Sequence, residues 1–222
     1  MRETTRRRWS LWCNVAIVLL TAFAWCQMAF GWANSGVLSS YGLRSLKYFT
    51  IQSNLLSAVA SLVWVVLLVR KRDEPLPNWA HTLRFVATTS VTLTLVTVEA
   101  FLAPAFGYAS MHAGANLWFH LLLPVTAIVS FCAFEADRPI RLRRTLVAVV
   151  PMVLYGIGYY ANILTNGVGE WPDTNDWYGF TQWGMERVSL VFLVMILVTL
   201  AIALLLRAVN QRVYASSGLA EG

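Results

Sequence analysis

Lys47-Tyr48-Phe49-Thr50-Ile51-Gln52-Ser53-Asn54-Leu55-Leu56 opens an apolar segment that runs on to Val69. The segment is long enough to cross a bilayer as a helix, which takes roughly 20 apolar residues. Four polar side chains, Thr50, Gln52, Ser53 and Asn54, nevertheless crowd its first turns. Unpaired polar groups in hydrocarbon cost free energy. A segment that only anchored the chain would not gather them. They either hold helices together or form a site.

The surrounding chain has the same apolar character. Of 222 residues, 58% are hydrophobic and 13% charged, against about 25% charged in soluble domains. Six apolar runs stand out, at about Trp9 to Trp32, Leu46 to Val69, Leu83 to Ala103, Ala115 to Phe134, Leu146 to Leu164 and Met185 to Leu206. With short loops they use up the length. The expectation is an all-α polytopic membrane protein, with six transmembrane helices in one bundle and a single domain over residues 1–222.

The net charge of +6 is placed as an orientation signal rather than as a nucleic-acid surface. Fourteen of the 17 Lys and Arg fall in the N-terminus, the 70–84 and 136–144 loops and the C-terminal tail. Arg44, Lys47 and Arg187 are the remainder. This excess assigns both termini to the cytoplasm. Arg2, Arg6, Arg7 and Arg8 precede a run too long for a signal-peptide core of about 7–15 residues. Thr5-Arg6-Arg7-Arg8-Trp9 has only a faint likeness to a twin-arginine signal. The tail after Arg212 (Ser216-Ser217-Gly218) reads as disordered. Cys13, Cys26 and Cys132 sit in apolar runs without metal-like spacing, so no disulfide, metal or cofactor is expected.

With that orientation, polar and ionisable residues of five spans fall near one depth in the outer leaflet. Thr50 and Asn54 share a helix face, as do Asn116 and His120. Thr88, Thr92 and Glu99 form a stripe on the third span, Tyr159, Tyr160 and Asn162 end the fifth, and Glu186 and Arg187 open the sixth. Intramembrane ionisable groups usually face a bundle interior or a wet cavity. Bland readings stand beside this one. A membrane threonine commonly bonds its own i−4 carbonyl, a histidine can bridge two helices, and Glu99 with Arg187 can be a structural ion pair. The inner halves of the second, fifth and sixth spans are nearly all apolar, and no ionisable path crosses the membrane, which counts against a channel or transporter. The 165–184 loop holds Glu170, Asp173 and Asp176 with Trp171, Trp177, Tyr178 and Trp183 and no Lys or Arg. It reads as a lid at the membrane interface.

Two stretches carry a family resemblance. Lys47-Tyr48-Phe49-Thr50-Ile51-Gln52-Ser53-Asn54-Leu55-Leu56 resembles the K-Y-L-T-x-x-N-L-like opening of the second span in the androgen-induced integral-membrane hydrolases. Asn116-Leu117-Trp118-Phe119-His120-Leu121-Leu122-Leu123-Pro124 is similar to their N-x-x-x-H motif with a following proline. Trp171-Pro172 before the sixth span matches their pattern too. The likeness is greatest to the bacterial six-span branch. It implies a bacterial plasma-membrane protein that hydrolyses lipid esters, of the type of fatty-acid esters of hydroxy fatty acids, with Thr50 as nucleophile and His120 as base. The chain departs from the pattern in an extra residue at Ser53-Asn54 and a shorter histidine-to-proline interval, so the fold carries over more safely than the substrate.

Such chemistry is coherent in itself. A threonine hydroxyl needs an adjacent base, and a neutral imidazole supplies one. Asn54, Asn116 or Gln52 would orient the base or donate to an oxyanion. The expected partners are membrane lipid and an amphipathic ester, with no nucleic acid. A pocket is expected between the second and fourth spans, with Glu99 and Asn162 lining it, Arg187 beside Glu99, and the 165–184 loop over the mouth. The competing class is a structural or partner-binding membrane protein whose polar layer only joins helices, or less so a small-solute transporter.

Overall fold

The computed structural model describes residues 3–30, 42–71, 74–170 and 174–217. Arg2, Trp32, Arg72, Trp171, Pro172, Asp173 and Gly218, on which sequence expectations fell, lie outside them. Six helices are long and apolar enough to span a membrane: α1 (Glu3–Phe30), α2 (Phe49–Arg70), α3 (Asn78–Phe106), α4 (Ala115–Phe134), α5 (Arg143–Asn166) and α6 (Met185–Ser216). No strand occurs among the described residues. Most of the helices outrun the apolar runs, because helical hydrogen bonding continues into polar flanks that hydropathy discounts.

α3 is the central post. It packs against α2, α4, α5 and α6, while α1 covers α2 and α4, and α5 pairs with α6. Half of its apolar window is buried, against 28% for α1 and α6. Its sequence explains the position. Ala87, Thr88, Thr89, Ser90 and Thr94 are small and buried, and small residues let helix backbones approach closely in a bilayer. Their hydroxyls need few outside partners: Thr89, Ser90 and Thr92 bond back to the carbonyls of Phe85, Val86 and Thr88 at 2.7–3.0 Å. By contrast α5 and α6 expose Leu146, Leu154, Ile157, Leu193, Leu197 and Leu205, the surface a lipid-facing helix presents.

α2 and α5 both flank α3 but scarcely touch each other, which leaves a gap at the end of the bundle where the 165–184 loop lies. α5 and α6, in contrast, meet so closely that a Cβ on Gly156 would lie 2.9 Å from Phe192 Cδ1. α3 and α4 are interrupted by π-helical turns at Val98–Leu102, Trp118–Leu122 and Ser130–Phe134. The first contains Glu99 and the second His120. Single π turns inside α-helices are frequent at functional sites.

Candidate functional site

The gap between α2 and α5 is a cavity of about 390 Å³, within the roughly 300–1,000 Å³ of ligand pockets. Phe49, Gln52, Ser53 and Leu56 line it from α2, and Pro151, Leu154, Tyr155, Gly158 and Tyr159 from α5. Lys47 and Trp177 complete the lining. The pocket expected between α2 and α4 is therefore displaced by one helix face. Residues 49, 52, 53 and 56 turn toward α5, whereas Thr50 and Asn54, one turn apart, share the adjacent face and lie outside the lining.

Residues 174–181 are fastened over this cavity by hydrogen bonds to neutral and to charged groups. Tyr155 OH donates to the Lys47 carbonyl at 2.8 Å and accepts from Trp177 Nε1 at 2.9 Å. The Phe49 amide donates to Tyr178 OH at 3.1 Å. Lys47 Nζ reaches the Thr174 carbonyl at 3.4 Å and lies 5.5 Å from the centre of a Trp177 ring. Tyr159 OH donates to Asp176 Oδ1. The Asp176 carboxylate also accepts from the amides of Phe180 and Thr181 at 2.9 and 2.8 Å and from the Thr181 hydroxyl. Burial alone would push the Asp176 carboxyl up. The hydrogen bonds from Thr181, Tyr159 and the two amides outweigh it and hold the group below the ordinary aspartate value. Burial pushes the Tyr178 phenol above its ordinary value.

On the adjacent face of α2, Asn54 is fully buried. Its Nδ2 donates to the Thr50 carbonyl at 2.8 Å and to the Phe119 carbonyl at 3.0 Å. One amide thus ties the turn that carries Thr50 to the residue before His120. His120 is 5% exposed, and its Nδ1 lies 2.7 Å from the Met111 carbonyl. A carbonyl only accepts, so this contact places the ring proton on Nδ1 and leaves Nε2 with its lone pair. No partner for Nε2 occurs among the described residues. Asn54 Oδ1, Asn116 Oδ1, Ser57 Oγ and Thr88 Oγ1 are buried without a partner.

The remaining expected residues divide. Gln52 is exposed and donates to the Leu46 carbonyl at 3.0 Å. Ser53 is buried and shares a hydrogen bond of 2.9 Å with Thr94 on α3. Asn116 Nδ2 donates to the Ser110 carbonyl at 3.2 Å. Tyr159 serves the loop clasp and the cavity. Asn162 donates to Asn175 Oδ1 at 2.9 Å, so it clasps the loop and does not face Glu99. Glu99 pairs with His112 Nε2 at 2.7 Å, not with Arg187. Glu186 and Arg187 are both exposed in the first turn of α6. His112 escaped notice because it sits in the short connection between α3 and α4. The signal in the sequence was a half-buried Glu99, which needs a hydrogen-bonding partner.

The largest departure is at the opposite, basic end. Arg84 and Glu135, each 1% exposed, form a two-pronged ion pair at 2.9 and 3.0 Å. Ser61 accepts from Arg84 at 2.8 Å, and Asn14 and Ser130 donate to Glu135 Oε1 at 2.8 and 2.6 Å. Four helices thus meet on one buried ion pair, a pairing the sequence reading did not anticipate. Arg84 had been assigned to the loop before the third span, although it lies two turns inside α3.

Comparison of the chain with protein-family models, with curated proteins and with solved structures returns no match.

Proposed function

We propose that the chain is a multi-pass hydrolase of amphipathic esters in a bacterial plasma membrane, with both termini cytoplasmic, Thr50 as nucleophile and His120 as base. The observation that carries the reading is the tautomer of His120. Its Nδ1 is committed to the Met111 carbonyl, so Nε2 is the nitrogen that can take a proton. In the proposed reaction, Thr50 Oγ1 attacks the ester carbonyl carbon while His120 Nε2 takes the hydroxyl proton. The imidazolium returns that proton to the leaving alkoxide, leaving an acyl-threonine. Water then attacks the acyl group, with Nε2 again as base, and regenerates Thr50. The bridge from Asn54 to the carbonyls of Thr50 and Phe119 supports the pairing of these two turns.

The test is labelling by a fluorophosphonate probe and turnover of a short-chain aryl ester by the purified protein. Activity is expected in the wild type, none in Thr50→Ala, and a loss of about 10²–10⁴-fold in His120→Ala. Turnover that survives Thr50→Ala rejects the nucleophile. The helix-joining reading is supported by Ser53, whose hydroxyl is spent on Thr94. It predicts that Thr50→Ala and His120→Ala lower the melting temperature and change nothing else. Reporter fusions at Asp173 and after Arg212 test the orientation and should report opposite sides.

A further inference from the structure

The loop between α4 and α5 and the first turn of α5 carry Arg138, Arg141, Arg143 and Arg144. Any four basic residues there would orient the chain. Two of these are also held in a defined place. Arg138 Nη1 donates to Asn78 Oδ1 at 2.9 Å, and Arg144 Nη2 donates to the same oxygen at 3.1 Å. Two guanidinium groups are thus fixed side by side on one neutral acceptor. The backbone that holds them is itself anchored on α6. Arg207 Nε donates to the Ile140 carbonyl at 3.0 Å, and the Ile140 amide donates to Asn210 Oδ1 at 3.2 Å.

Among the described residues no carboxylate forms an ion pair with Arg138 or Arg144. The nearby acid, Asp137, lies 3.7 Å from Arg6 and 3.6 Å from His81. Among the described residues Arg138 Nε and Arg144 Nη1 are covered and have no acceptor. Two like charges are thus kept together with no described carboxylate in ion-pair range of either. The surroundings indicate what kind of anion suits them. Trp79, beside Asn78, is 55% exposed, and Leu142 and Leu146, which bracket Arg144, are 58% and 66% exposed. Exposed aromatic and leucine side chains on the helices that carry Asn78 and Arg144 suit the boundary between headgroups and acyl chains.

We propose that Arg138, Arg144 and Asn78 form a binding site for a phosphate group, carried by an anionic phospholipid. Guanidinium suits this ligand because its planar donors match phosphate oxygens in pairs. Asn78 keeps the two forks converged in the absence of the phosphate. The proposal is independent of the ester-hydrolase reading.

The experiment uses the full chain in neutral detergent micelles at about 0.15 M salt, where exposed charges more than about 8 Å apart are largely screened. Binding of phosphatidylglycerol is measured by native mass spectrometry and by the shift in melting temperature, against phosphatidylcholine and inorganic phosphate. The wild type is expected to retain phosphatidylglycerol selectively. Arg138→Gln/Arg144→Gln should weaken it about tenfold or more through loss of charged hydrogen bonds. Arg141→Gln/Arg143→Gln removes the same charge from the same stretch of chain and should weaken it less than about threefold. Asn78→Ala should fall between them. Each variant is compared with its own lipid-free melting curve, and Arg138→Lys/Arg144→Lys tests the fork while keeping the charge. Equal losses in the two glutamine pairs would overturn the site in favour of diffuse attraction. Equal retention of phosphatidylcholine would overturn the anion. Inorganic phosphate that matches the lipid would overturn the phospholipid as the source.

Discussion

The two ends of the bundle solve the same problem in opposite ways. At the basic end the central polar pair is charged, fully buried and matched: Arg84 and Glu135 face each other and draw in Asn14, Ser61 and Ser130. At the other end the groups are mostly neutral, the packing leaves a cavity of about 390 Å³, and a loop is clasped over it by tyrosines and Asp176. A buried ion pair specifies one arrangement and tolerates little change. A set of separate hydrogen bonds over a gap can open in parts, because each neutral bond contributes only about 0.5–1.5 kcal/mol and each bond to a charged group about 1.5–3 kcal/mol. The contrast sets a tightly paired basic end against a loop-covered end whose packing leaves a gap.

The sharpest way to break that contrast is at Arg84. Arg84→Met leaves Glu135 charged, buried and without its cation, and should destabilise the protein by about 3–5 kcal/mol. Arg84→Met/Glu135→Leu removes both charges and should recover most of the loss. Thermal unfolding of the two variants in detergent checks this. If the single variant melts like the wild type, the contrast fails.

The next test is at Asp176, where the expected loss is about 1–3 kcal/mol confined to the loop. Asp176→Asn should expose the loop to proteolysis and change Trp177 fluorescence, while global melting moves less than for Arg84→Met. The same residue sets a pH dependence. Its folded value lies below the unfolded one, so the folded state binds fewer protons there than the unfolded state. The contribution to stability is therefore full above the ordinary aspartate range, near pH 4, and is lost as pH falls through the lowered value. Proteolysis of the loop should quicken on acidification below about pH 4 in the wild type. It should be fast and nearly pH-independent in Asp176→Asn.

The spans were legible in the sequence because hydropathy is additive along a helix. The polar layer at the loop end was legible because Thr50, Asn54, Asn116 and His120 interrupt apolar runs at helical spacing. Pairings were not. Arg84 and Glu135 are 51 residues apart, and each sits near the end of an apolar run, where a charge reads as a flank. The loop's aromatic content marked it as a cover, but its clasp through Tyr155, Tyr159 and Asn162 depends on how α5 faces the start of α2. The cavity's position depends on the same angle. One step around α2 separates Ser53, which lines the cavity, from Thr50, which does not, and sequence spacing alone does not decide which face meets which helix.

The smallest expected effects lie in two glycines one residue apart on α5, and they sharpen the account of the cavity. Gly156 lies against Phe192, and an added Cβ would lie 2.9 Å from Cδ1, so the ring or the helix must shift. Gly156→Ala should cost about 1–3 kcal/mol, the usual range for overpacking. Gly158 lines the cavity, and a Cβ there would meet nothing within 4 Å. Its backbone is helical, so alanine also restricts the unfolded chain. Gly158→Ala should therefore be neutral or stabilising by about 0.4–1 kcal/mol. The two melting curves read side by side test whether α5 is packed on its α6 face and open on its α2 face. Gly158→Leu extends the test by placing a larger side chain into the gap. It should leave melting nearly unchanged, since the space is already there, while slowing uptake of any amphiphile that enters between α2 and α5. A Gly158→Ala variant that melts as low as Gly156→Ala would mean that the gap is closed in the folded protein.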